Sequence, residues 1–274
     1  MQIESKIISI INDKLKNPIY ETLRLLNMKT ILSKSNFVKK EGVAVHMVVL
    51  HFVYMLVMNK KISTLNQSND SFKKDVYYKL LANAHYNWRS LLSLSSLKIL
   101  SFIHKIQDKK HTRVLILDDT VEDKVGKNIE GSCDELLSNK VKKIRGINVV
   151  SLNYSDGYSN FMLDFAIAIN SYVMVKIEEF TNIIDHRTNA HKRRLEALKG
   201  KSQIAIEMVK RIVKSGIYAD YLLVDSWYSK PVFIETMNEL GLQIISRMTN
   251  NIKIWNFIGK EKTLDSLYQK FKKL

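Results

Sequence analysis

Arg113-Val114-Leu115-Ile116-Leu117-Asp118-Asp119-Thr120 (RVLILDDT) is an unbroken apolar run that ends in two acids. Four consecutive apolar residues without polar alternation suit a strand covered on both faces, as at the centre of an α/β sheet. Outward from it, Ile147 to Tyr154 and Asn160 to Ile169 read as two more strands, joined through Ser155, Asp156 and Gly157, a hairpin turn. The pattern then predicts a long helix from about Asn189 to Lys214, stopped by Gly216. Ala219 to Val224 reads as a fourth strand, Pro231 to Leu240 as a helix with Pro in its first turn, and Leu242 to Ser246 as a fifth strand. Val121 to Lys143 carries no such pattern and reads as a loop. The order of three strands, helix, strand, helix, strand places this region in the α/β class.

Upstream of about residue 110 the pattern is helical, and strand-like runs are missing. Residues 1–110 hold 18 Lys and Arg against 7 Asp and Glu, most of a net charge of +16. An excess of that sign attracts phosphate backbones, so a basic helical domain over 1–110 is the expected DNA-binding module. Within it, a short helix ending at Leu65, a polar turn over Asn66 to Asp70 and a second helix over Ser71 to Asn83 form a helix-turn-helix outline. A plain helical hairpin fits equally well. In either case Lys73, Lys74 and Lys79 lie on the exposed face, and Val76, Tyr77, Leu80 and Leu81 face inward. The apolar stretch Val43 to Met58 falls short of the roughly 20 residues of a membrane span and contains His46 and His51, so it reads as a buried helix. Cys133 is the only cysteine, which excludes a disulfide or a thiolate zinc site within one chain and fits a reducing cytoplasm. The N-terminal stretch mixes charges into its apolar run and is not a signal peptide.

A single aspartate at a strand end is more often a cap or a turn residue than a chemical group. Here the pattern occurs twice, at Leu117-Asp118-Asp119-Thr120 and at Leu223-Val224-Asp225-Ser226. Two strand-end carboxylates in one sheet can converge on a hard divalent cation, and the carboxyl ends of strands are where open sheets bind ligands.

With these two segments, Tyr154-Ser155-Asp156-Gly157, Arg187-Thr188-Asn189 followed by Lys192-Arg193-Arg194, and Tyr86-Asn87-Trp88-Arg89 occur in an order that resembles the DDE transposases of bacterial insertion sequences. The resemblance covers nearly the whole chain. It implies a ribonuclease H-like mixed sheet with flanking helices over 111–250, after the helical domain over 1–110. It also implies a three-carboxylate site holding magnesium, with manganese as substitute, for cleavage at element ends and strand transfer to target DNA. By position Asp119 matches the first metal-binding acid, with Asp118 as the alternative, and Asp225 the second. Double-stranded DNA is the implied partner, a homodimer the implied assembly, and no membrane is involved.

The chain departs from the family at the third ligand, a Glu within a pattern of Tyr, two residues, Arg, three residues, Glu, six residues, Lys. The only Tyr with Arg at the right spacing is Tyr86 with Arg89, and Ser93 stands where Glu belongs. Residues 251–274 read as the start of a β-rich insertion that the chain does not complete. The expectation is therefore a C-terminally truncated transposase that lacks its third carboxylate and its cutting activity. The rival is a non-catalytic DNA-binding protein that acts as an inhibitor. A stand-alone nuclease would need Asp185, Glu207 or Glu235 as a substitute ligand. Lys192, Arg193 and Arg194 form a basic patch with Lys199 and Lys201, and Tyr228 with Lys230 is placed to hold a DNA end. Trp227 reads as a core residue, and His111, His186 and His191 as solvated or hydrogen-bonded.

Overall fold

A computed structural model describes residues 18–39, 41–63, 72–106, 111–124, 126, 129–136, 143–169, 184–247, 253–257, 260–263, 268–269 and 272. The chain divides into two compact units, Met1–Ile106 with Ile183–Lys192, and Gln107–Asn182 with Arg193–Leu274. Among the described residues no helix is long and apolar enough to cross a membrane.

The first unit holds helices α1 (Pro18–Leu25), α2 (Met28–Lys34), α3 (Val45–Val57), α4 (Lys74–Leu81) and α5 (Trp88–Ile106). Helix α3 is apolar on most sides and buries Val45, Met47, Val48, Val49, Leu50, Tyr54 and Met55, as its sequence predicts. His51 is buried on the same helix, and its Nδ1 is hydrogen-bonded to the hydroxyl of Tyr77 on α4. Tyr77 and Leu80 turn inward while Lys73, Lys74 and Lys79 are exposed, but Leu81, expected inside, is 43% exposed at the helix end. The turn Asn66 to Asp70, with Ser71, lies outside the described residues. Two of the resembling segments meet in this unit. Asn189 Nδ2 donates to the His85 carbonyl at 2.7 Å and Ala190 N to the Ala84 carbonyl at 3.0 Å, next to Tyr86, which stacks on Phe37 at 4.4 Å.

The second unit is built on a mixed sheet of β1 (Val114–Asp123), β2 (Cys133–Leu136), β3 (Lys143–Ser155), β4 (Asn160–Ala168), β5 (Tyr221–Val224) and β6 (Gln243–Ser246). Strand β1 runs antiparallel to β3 and parallel to β5, and β6 extends the sheet parallel to β5. The far edge of β3 carries β4 along most of its length and β2 at its start. The β3–β4 turn closes as expected, with Asp156 Oδ1 accepting from Tyr158 N and Ser159 N, and Gly157 at φ +87°, a conformation glycine adopts without strain. Helix α6 (Asn189–Ala197) leads to α7 (Lys201–Lys214), which lays Ile204, Ala205, Met208, Val209 and Ile212 on β3 and β4. Helix α8 (Pro231–Glu239) buries Phe233 and Met237 against α7 and β6. This is a mixed sheet with flanking helices, the α/β class that the sequence implies. A separate antiparallel pair, β7 (Lys253–Phe257) and β8 (Lys260–Thr263), occupies the stretch read as the start of a β-rich insertion.

Two expectations are corrected. The single helix over Asn189 to Lys214 is two helices, because Gly200 takes an extended ψ of 148° and acts as the N-cap of α7. Part of the loop expected over Val121 to Lys143 is strand: β1 continues to Asp123, and Cys133–Leu136 pairs with β3. Gly146 permits this close approach, since a Cβ there would come within 2.6 Å of the Glu122 carbonyl oxygen.

Arg211 on α7 joins the sheet to α6, bonding Asp164 of β4 at 2.9 Å and Glu196 at 2.8 Å. Burial works against the guanidinium's charge, but Asp164 and Glu196 outweigh it and raise its pKa. Asp164 is 1% exposed and would lose its contact with the Arg211 guanidinium in Arg211→Met. That variant is expected to lose about 2–3 kcal/mol in urea unfolding, less than a fully buried pair because the guanidinium is partly exposed.

Candidate active site

Side chains alternate along β1, so Leu115, Leu117 and Asp119 share one face and Asp118 lies on the other. Leu115 and Leu117 are buried, which turns Asp119 toward the core side and leaves Asp118 exposed. The Asp118 carboxylate accepts from the Asp119 backbone N at 2.9 Å. Opposite Asp119 in the ladder stands Val150. Two residues back on β3, Asn148 shares that face and donates through Nδ2 to Asp119 Oδ2 at 3.1 Å.

Strand β5 ends at Val224, paired with Leu117, and Asp225 follows directly. Its Oδ1 accepts from Trp227 N at 2.9 Å and so opens the turn after the strand. Its carbonyl accepts from Tyr228 N and Ser229 Oγ, both at 3.3 Å, and from Ser246 Oγ at the end of β6 at 3.4 Å. The Ser229 and Ser246 hydroxyls also lie within hydrogen-bond distance of each other and share their two protons between this contact and the Asp225 carbonyl, which ties this turn to the next strand.

The turn sends Tyr228 inward. It is 0% exposed, and its hydroxyl donates to Asp119 Oδ1 at 3.4 Å. Burial, then the negative charges of Asp119, Asp225 and Asp118, push this phenol well above its ordinary pKa. The turn that Asp225 opens thus carries the phenol that rests on Asp119, so the turn after β5 and the acid of β1 occupy one neighbourhood. Into it reaches Lys201, the first residue of α7, whose Nζ lies 2.5 Å from Asp119 Oδ1. The same ammonium sits 4.4 Å from the centre of the Trp227 ring and 5.3 Å from that of Tyr228, and Lys230 covers Trp227 at 4.3 Å.

Residues 55–259 match the family model described as DDE superfamily endonuclease. The chain belongs to that family. A solved piggyBac transposase synaptic complex with hairpin DNA is similar at 12% identity and a TM-score of 0.35, over 89% of this chain and 53% of that one. The chain thus spans about half the length of that transposase. A search of curated proteins finds no match.

Within this member of the family, Asp119 contacts Tyr228 and Lys201, and Asp225 opens the turn that carries Tyr228. Among the described residues no group of three or more His, Cys, Asp or Glu gathers as a metal site. Glu207 is held by Lys199 at 2.7 Å and by Gln203 at 3.1 Å, Asp185 is bonded to Arg187, and Glu235 is exposed on α8. Lys192 is exposed and Arg193 half-buried, while Arg194 is paired through two contacts of 2.5 and 2.6 Å with Glu130. His186 Nδ1 lies 3.0 Å from His191 Nε2, in keeping with a hydrogen-bonded pair.

Two expectations exchange places. Trp227, read as core, is 41% exposed, and Tyr228, expected at a DNA end, has no surface to offer. The tight turn after Asp225 decides this, because Tyr228 must fill the space beneath Lys201. Sequence reasoning left Asn148 out of the site and placed Lys201 in a phosphate-binding basic patch, not on Asp119. Both break a local preference: Asn is uncommon inside a strand, and a lysine at a helix start opposes the helix dipole, with no acid in that first turn to offset it.

Because the Tyr228 phenol is raised, the folded chain keeps its proton where an unfolded tyrosine releases it, above about pH 10. Its contribution to stability is full below that pH and declines above it. Tyr228→Phe is expected to flatten the fall of unfolding free energy between about pH 10 and 11.5, measured by urea denaturation at each pH.

Proposed function

We propose that this DDE endonuclease is a metal-dependent DNA-cutting enzyme of the transposase type, in which Asp119 and Asp225 are the metal-binding carboxylates. The observation that carries the reading is the pairing of Leu117 with Val224 on adjacent parallel strands, which sets Asp119 and Asp225 just beyond one level of the sheet, with the turn that Asp225 opens bringing the Tyr228 hydroxyl onto Asp119. The donor set fits a hard divalent cation such as magnesium or manganese. Beside Asp119, the Asn148 Oδ1 is buried without a hydrogen-bond partner among the described residues, an oxygen that such a cation would satisfy. When bound, the metal would supply Lewis-acid activation of the attacking water or 3′-hydroxyl and charge for the leaving oxygen.

The chain's own residues do the rest. Asn148 and Tyr228 hold the Asp119 carboxylate in one orientation from two different elements. The Ser229 and Ser246 hydroxyls fix the backbone of Asp225. Trp227 and Lys230 form an exposed aromatic and cationic lip next to the acids, suited to a base face and a phosphate. The exposed Lys73, Lys74 and Lys79 of α4 and Lys192 supply backbone contacts to duplex DNA, and the surplus charge of the chain favours that partner. Cleavage at the ends of an insertion sequence and transfer to target DNA, by a homodimer, complete this reading.

A second reading, DNA binding without cleavage, is favoured by the ammonium of Lys201 on Asp119. Gel shift and cleavage on the same DNA, with magnesium or manganese, separate the two. Although no third carboxylate joins the two acids among the described residues, the expected result is cleavage by the wild type that falls at least about a hundredfold in Asp119→Asn and in Asp225→Asn with DNA binding kept, which would overturn the loss of cutting expected from the missing Glu. Binding without metal-dependent cleavage in the wild type would establish the second reading.

A further inference from the structure

We propose that Lys201 is a built-in counter-cation that closes Asp119 in the metal-free chain, and that a divalent cation must displace it to bind. The inference rests on Asp119 being a metal ligand. Lys201 Nζ already lies 2.5 Å from Oδ1, close to the distance at which a hard cation would hold that oxygen. Both side chains are largely covered, at 19% and 15% exposure, so water screens the pair poorly. Two cations on one carboxylate oxygen would repel by several times the thermal energy at such a site. Lysine and metal therefore compete.

The surroundings also give the displaced ammonium a place to go. Trp227 and Tyr228 present ring faces at 4.4 and 5.3 Å, and such faces attract a cation without a carboxylate. Trp227 is exposed and already carries Lys230 on its ring. A lysine released from Asp119 would stay on this lip and add its charge to that of Lys230, where an anionic phosphate would approach. Metal loading and phosphate binding are then linked: whatever holds the freed ammonium tightens metal binding, and the reverse. The position of Lys201 agrees with this. At the start of α7 it opposes the helix dipole, so Asp119 is the interaction that offsets its placement.

The test is manganese binding to the full chain, followed by calorimetry and by the paramagnetic resonance of free Mn²⁺, without DNA. Lys201→Met is expected to bind about tenfold more tightly than the wild type, roughly the effect of removing one competing charge. Lys201→Arg should stay near the wild type, and Asp119→Asn should lose the site in either background. Lys201→Gln serves as the second neutral variant, with thermal unfolding to confirm that each is folded. As an independent readout, saturating Mg²⁺ should change the Trp227 emission of the wild type, identified by its loss in Trp227→Phe, but not that of Lys201→Met. Asp119-dependent binding with unchanged or weaker affinity in both neutral variants overturns the role of Lys201 and leaves the metal reading intact. No Asp119-dependent binding in any variant overturns both.

Discussion

The hydrogen-bond ladders that join β1 to antiparallel β3 on one edge and to parallel β5 on the other are the constraint on which the second unit depends. The parallel pairing sets Leu117 beside Val224, where β5 ends and β1 runs on, so Asp225 follows one strand directly while Asp119 stands two residues further along the other. The antiparallel pairing fixes which face each acid takes. A one-residue slip would turn Leu115 and Leu117 outward and bring Asp118 in place of Asp119, exchanging two buried leucines for exposed ones. Each fully buried leucine contributes about 1.5–3 kcal/mol relative to exposure, so the core itself selects the register that places Asp119.

Much of this was legible in the sequence, because its strongest signals are local. The apolar run before Asp118, the turn at Asp156-Gly157 and the proline at the start of α8 each carry their own structural cause, and each element stands where that cause puts it. Pairing across the sheet was not legible. Nothing local says that Cys133–Leu136 will find the start of β3, since that strand exists only because β3 extends far enough to pair with it. The break at Gly200 was hidden for the opposite reason: helical periodicity continues on both sides of a glycine that caps the second helix. For the site, the two aspartates announce themselves by following apolar strands. Asn148 and Lys201 reach Asp119 across 29 and 82 positions of chain, a relation that spacing along one element does not encode.

The two acids are held by different physics. Asp119 is positioned through its side chain, by an amide from β3, a phenol from the turn after β5 and an ammonium from α7. Asp225 is positioned through its backbone, whose carbonyl collects one N–H and two hydroxyls, while one carboxylate oxygen opens the turn. The first arrangement can exchange partners without disturbing the fold, because β1 stays paired on both edges whatever the carboxylate binds. The second cannot, since releasing the Asp225 carbonyl would loosen the turn that buries Tyr228. A site with one exchangeable acid and one fixed acid has a rigid reference and a responsive arm.

This difference bears on the ambiguity of any aspartate at a strand end. Capping a turn and holding a cation are usually treated as competing explanations of such a residue. At Asp225 they are compatible, because the turn uses Oδ1 and a carboxylate has a second oxygen that can accept in its own right. The structural role fixes the rotamer, and a fixed rotamer lowers the entropy lost when a ligand is taken up. The feature that makes the aspartate look merely structural in sequence is thus compatible with the proposed metal binding. Asp119 lacks such a local tether, and its three partners from other elements supply the same restraint at the cost of a carboxylate already engaged.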